Sequence, residues 1–120
     1  MHYTAWTYVE AIERVDSLIG SVLEALAGRA ALAEEDWLIV VVTDHGGKGT
    51  EHGKGHREPE ITNGFLIVHG GGVQPGSIRG TTYLVDVAAT ALSHLGVPLD
   101  SAWQLDGRVL ERQGGRRKEE

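Results

Sequence analysis

The sequence predicts an α/β fold, with helices layered on a mainly parallel sheet, and three observations carry that prediction. Apolar residues recur at steps of three and four near the start of the chain. An unbroken run of aliphatic and β-branched residues follows, and a glycine-rich polar loop then leads to a second apolar run and a second amphipathic segment. Helix, strand, loop, strand, helix is an order that such layered structures use.

From about Trp6 to Gly28 the spacing predicts one amphipathic helix. Tyr8, Val9, Ile12, Val15, Ile19, Val22, Leu23 and Leu26 form its apolar stripe, and Glu10, Glu13, Arg14, Asp16 and Ser17 fall between them. Gly28 is placed to stop it. The acidic link Glu34-Glu35-Asp36 leads into Trp37 to Thr43, which lacks alternation and so predicts a strand covered on both faces in a parallel sheet. Asp44 to Glu60 reads as a long loop, Phe65 to His69 as a second strand ending in Gly70-Gly71-Gly72, and Val85 to Leu95 as a second helix closed by Gly96 and Pro98. Asp86 and Thr90 read as residues that pin this helix, Asp106-Gly107 as a tight turn, and His94 as a residue favoured by the helix dipole. Residues 1–110 are expected to form the folded part, and 111–120 a polar, flexible tail.

The 120 residues suit one domain. A net charge of −6 excludes a nucleic-acid surface as the expected function. The longest apolar run, Trp37 to Val42, falls far short of the roughly 20 residues that span a bilayer. Glu10, Glu13, Arg14 and Asp16 sit where a secretory signal would need apolar residues. With no cysteine, disulfides and thiolate metal sites are excluded.

Chemistry concentrates after the first strand. In open α/β sheets ligands gather beyond the carboxyl ends of strands, and Asp44-His45-Gly46-Gly47 stands there. A carboxylate beside an imidazole suits Zn²⁺ or Mn²⁺ better than Ca²⁺, which takes more oxygen ligands. Neighbouring strand residues point to opposite faces, so both reach one ion only where the backbone turns, and glycines permit that turn. His52-Gly53 follows seven residues beyond His45, within reach of the same cavity, and His56 is the competing candidate. His69 ends the second strand, and a structural histidine is the commoner reading there. Lys48, Lys54 and Arg57 give the loop a cationic rim, offset by Glu51, Glu58 and Glu60.

The segment Thr43-Asp-His-Gly-Gly-Lys-Gly-Thr-Glu-His-Gly53 resembles the C-terminal metal motif of the alkaline phosphatase superfamily. The nearest likeness is to its branch of type I phosphodiesterases, nucleotide pyrophosphatases and sulfatase-like hydrolases. The helix Tyr8 to Gly20, the segment Phe65 to Val73, the stretch Asp86 to Leu92 with Leu95-Gly96-Val97, and Leu105-Asp106-Gly107 are similar to the family's remaining pieces, in the same order.

That resemblance implies an alkaline-phosphatase-like α/β/α fold of which this chain is the C-terminal part. It implies two divalent ions, zinc before manganese, with Asp44 and His45 on one and His52 on the other. His56 is a further metal or substrate candidate, as is His2, which would end an upstream ligand pair. Lys48, Lys54 and Arg57 would rim a phosphate-ester or nucleotide-like substrate. The nucleophile is expected upstream of Met1, so no catalytic nucleophile is assigned here. The expected activity is metal-dependent phosphate-ester hydrolysis. A sulfatase, a phosphomutase, or a truncated metal-binding fragment without turnover are the alternatives. Two strands and two helices cover a buried parallel strand only in part, so the expected partner is the rest of the same domain or a second copy.

Overall fold

The computed structural model describes residues 7–50, 55–70, 72–78 and 80–110. The expected tail, 111–120, lies outside them. The chain divides into two compact units, Met1–Asp36 and Trp37–Glu120.

The first unit is built on α1, Tyr8–Ala27. Thr7 opens it with a capping box. Its hydroxyl accepts the Glu10 N–H at 3.3 Å, and the Glu10 carboxylate accepts the Thr7 N–H at 2.7 Å. The Thr7 backbone bond, with the hydroxyl second, holds the Glu10 carboxyl below its ordinary pKa. Gly28 ends the helix, its N–H donating to the Glu24 carbonyl. The stripe read from the sequence is present, but no residue of α1 is buried. After the helix, Arg29 and Glu35 pair through two hydrogen bonds, of 2.5 and 2.7 Å.

The second unit holds β1 (Leu38–Val42), α2 (Pro59–Thr62), β2 (Leu66–Gly70) and α3 (Asp86–His94). The class is α/β, with α3 packed against β1. The strands themselves pair antiparallel, in the register Leu38↔Gly70, Val40↔Val68 and Val42↔Leu66. The parallel direction expected for β1 is therefore absent from this pair, and the connection explains why. A parallel neighbour requires a crossover that returns along the full strand. Here the connecting helix α2 has four residues, about 6 Å of rise. The Thr43 N–H donates to the Phe65 carbonyl at 3.2 Å, and the Thr43 hydroxyl accepts the Phe65 N–H at 3.0 Å. The start of β2 is thereby held beside the end of β1. An antiparallel strand on an otherwise parallel sheet is common in large α/β sheets. β1 is half-buried along its length rather than covered on both faces.

Polar contacts carry much of the packing. Among the described residues the buried hydrophobics are Ile61, Ala89 and Leu110, while Asp86 and Thr90 are each only 1% exposed. Asp86 accepts the Tyr83 N–H at 2.8 Å and the Arg108 N–H at 2.9 Å. Thr90 accepts the Leu110 N–H at 3.0 Å. These bonds hold the segment 108–110 onto α3. Gly107 completes the contact, because a Cβ there would overlap the Val85 carbonyl. His94 lies in the last turn of α3, where the helix dipole favours a cation.

Asp86 makes stability depend on pH. The Arg108 N–H first, and the Tyr83 N–H second, lower its carboxyl pKa against the opposing effect of burial. Its contribution is therefore full above the unfolded aspartate value of about 3.9 and is lost as pH falls through the lower folded value. Asp86→Asn is expected to cost about 1.5–3 kcal/mol at pH 7, the range for hydrogen bonds to a charged group. Urea unfolding at pH 7 and in acid measures this, and the difference between wild type and variant should shrink in acid.

Candidate metal centre

The site begins where β1 ends. Beyond the clasp between Thr43 and Phe65, the Asp44 carboxylate turns back on its own backbone, one oxygen accepting the His45 N–H at 2.9 Å. The His45 Nδ1 lies 2.6 Å from the Gly46 carbonyl oxygen. A carbonyl only accepts, so in this bond Nδ1 carries the proton and the neutral ring keeps its lone pair on Nε2. That Nε2 stands 3.6 Å from the second Asp44 oxygen. Both side chains face water, Asp44 at 84% and His45 at 44% exposure.

This geometry fits a shared ion. Donors about 2.0–2.2 Å from a tetrahedral zinc lie roughly 3.4 Å from each other, close to the separation seen. A ligating histidine ordinarily donates its other ring N–H to a carbonyl or carboxylate, which fixes tautomer and ring orientation. The Gly46 carbonyl occupies that position. Asp44 and His45 thus provide two donors, and among the described residues no group of three or more metal-ligating side chains converges.

The loop returns to the strand end through Gly46, whose N–H donates to the Ile61 carbonyl at 2.7 Å. A Cβ at Gly46 would overlap the carbonyls of Glu60 and Asn63, so only glycine admits α2 this close. Ile61 is 5% exposed, with its side chain close to Gly55. Hydrophobic periodicity does not reveal this contact. Pro59 at the first position of a short helix was the available signal for it.

Other candidates fall as follows. Lys48 is paired with Glu58 at 2.6 Å and Glu60 at 3.7 Å. Arg57 is exposed at the end of a 3₁₀ turn, Gly55–Arg57, whose backbone includes His56. His2, His52, Lys54 and the side chain of His56 lie outside the described residues. His69 is exposed on β2 and lines an open groove of about 890 Å³, with Ser77, Thr82, Thr90 and Arg108 also on its wall.

Residues 4–97 match the protein family described as Sulfatase. The chain is also similar to a phosphopentomutase of Methylobacterium sp. (strain 4-46), with 34% identity over 92 residues. That alignment covers 77% of this chain and 20% of the relative, so the chain spans about a fifth of the relative's length. No solved structure matches significantly.

Two neighbouring glycines separate close approach from loop flexibility. Gly46→Ala is expected to cost about 1–3 kcal/mol, the range for inserting atoms into filled space. Gly47→Ala meets nothing within 4 Å and should change stability by less than about 0.5 kcal/mol. Denaturant midpoints of the two variants provide the comparison.

Proposed function

Since the chain belongs to the sulfatase family, within the alkaline phosphatase superfamily, we propose that it forms part of a metal-dependent centre acting on phosphate esters. The carrying observation is the Asp44–His45 pair. A carboxylate oxygen and a lone-pair Nε2 stand 3.6 Å apart at a strand end, with the imidazole proton held on Nδ1 by the Gly46 carbonyl. In this reading Asp44 and His45 hold one divalent ion, zinc or manganese, and His52, or else His56, contributes to a second. A pair of such ions supplies charge stabilisation to both the attacking and the leaving oxygen of an in-line displacement.

The chain's own residues supply binding and orientation. Asp44 contributes negative charge toward the ion, and its bond to the His45 N–H fixes the turn that presents both donors. With Nδ1–H donating to the Gly46 carbonyl, Nε2 would be the atom of His45 that holds such an ion. Thr43 is not assigned as the nucleophile in this scheme; its hydroxyl accepts the Phe65 N–H and so belongs to the strand pair.

For substrate, a phosphodiester of the kind cleaved by phosphodiesterases and nucleotide pyrophosphatases is the leading reading from the motif. The 34% identity to a phosphopentomutase supports a second, a phosphomutase acting on a sugar phosphate.

Two measurements test the proposal. In calorimetric titration with Zn²⁺, alanine at Asp44 or His45 should weaken binding by at least about tenfold, since each removes one of the few ligands a zinc site has. Alanine at His69 or His94 should change it little, and equal binding by wild type and Asp44→Ala removes the metal role. In the second measurement, the zinc-loaded chain should hydrolyse bis-p-nitrophenyl phosphate no faster than buffer, because two or three ligands do not complete two sites of about three ligands each. Zinc-dependent turnover that is lost in Asp44→Ala would show that a residue not assigned here completes the centre.

A further inference from the structure

The free edge of β2 takes no part in the metal centre. Antiparallel partners alternate between pairs that exchange hydrogen bonds and pairs whose backbone groups point outward. The Thr43 N–H donates to the Phe65 carbonyl, so alternation makes Val41–Ile67 and Ile39–His69 the next bonded pairs. The N–H and C=O groups of Leu66 and Val68 then face away from β1. No third strand pairs with them among the described residues. The Gly70 carbonyl shares that edge and accepts the Val73 N–H at 3.0 Å. The chain itself closes the edge there and leaves it open at Leu66 and Val68.

The open groove of about 890 Å³ lies along this edge. Residues 66–69 all line it, and since consecutive strand residues alternate between faces, a groove that touches all four follows the edge itself. Its other walls come from segment 73–78, Arg108 and Leu110. In packed sheets a strand takes about 3.4 Å of length per residue, about 4.8 Å of width and about 10 Å of depth, so a strand as long as β2 fills roughly 800 Å³. The groove therefore has the volume of one added strand. Its charge is also selective. The lining holds Arg108 and His69 and, among the described residues, no aspartate or glutamate, in a chain of net charge −6. Arg108 Nη2 donates to the Thr81 carbonyl at 2.9 Å; a guanidinium carries five N–H donors, so others remain for a carboxylate.

We propose that this groove is a docking site for an extended, acidic peptide segment of a partner chain, which adds to β2 as a third strand. The main chain of that segment pairs with Leu66 and Val68, and one of its carboxylates meets Arg108. Main-chain bonds supply affinity in such strand addition, and the pockets beside the edge supply selectivity. An unpaired edge also invites a second copy of the same chain, but a volume of one strand suits a single extended segment better than another two-stranded sheet.

The test uses the full chain and a fluorescein-labelled hexapeptide of alternating valine and glutamate. Binding is read by fluorescence anisotropy, and its place by amide hydrogen exchange. The Leu66 and Val68 amides should exchange quickly in the free chain and slowly with peptide bound, while Ile67 and His69 are protected in both states. Val68→Pro removes a donor from the free edge and none from the ladder with β1. It should weaken binding roughly three- to tenfold, the scale of one hydrogen bond, with far-UV circular dichroism unchanged. Arg108→Gln should weaken binding by a similar factor, since it removes a charge-assisted bond, and an alternating valine–lysine peptide should bind more weakly than the acidic one. If Val68→Pro does not fold, the exchange pattern of the wild type decides. Absence of binding overturns the proposal, as does equal binding of the valine–lysine peptide. Protection at Val40 in place of Val68 also overturns it, because the peptide then lies on the edge of β1. Slow exchange at Leu66 and Val68 without peptide overturns it as well, since a second copy or the chain itself then covers the edge.

Discussion

The hydrogen bond from the Gly46 N–H to the Ile61 carbonyl is the contact on which the candidate centre depends. It turns the chain leaving β1 back against the chain about to enter β2. Together with the Thr43–Phe65 bonds at the strand end, it fixes the base of the loop that carries Asp44 and His45. The bond forms only because position 46 has no side chain, since the Glu60 and Asn63 carbonyls occupy the place of a Cβ. Ile61, whose carbonyl accepts that bond, is itself buried. The Gly46 carbonyl then orients the His45 ring. One glycine therefore links the packing of α2, the closure of the loop and the tautomer of the imidazole.

A similar economy governs the far side of the unit. Few hydrophobic side chains are buried, and two buried polar residues do much of the joining. Asp86 and Thr90 lie one turn apart on α3, so both face the segment 108–110 and accept its N–H groups. Buried backbone donors are costly when unpaired, and these two side chains satisfy them where no third strand is present among the described residues. Thr90 also lies on the wall of the groove beside β2, together with Arg108 and Leu110. The polar fastening of α3 and the shape of that groove are thus set by the same residues.

Asp44 is almost fully exposed, and the ammonium of Lys48 is directed to Glu58 and Glu60. Linear spacing shows only that Lys48 lies near the motif. Its actual neighbours come from the returning arm of the loop, brought close by the turn at Gly46.

Local chemistry was legible in the chain. The 3.6-residue period of the stripe from Tyr8 to Leu26 marked α1, the β-branched run before Thr43 marked β1, and the apolar segment after Phe65 marked β2. The placement of Asp44 and His45 directly after a strand identified the candidate centre. Each of these depends on neighbours a few residues apart, which a sequence displays. Strand direction, the pairing of Lys48, and the partners of Asp86 and Thr90 were decided by the tertiary structure alone. Asp86 meets Arg108, and Thr90 meets Leu110, across about twenty residues of intervening chain. Such contacts depend on how loops close, and closure at Gly46 and Gly107 turns on the space left by a missing Cβ, which composition and periodicity do not encode.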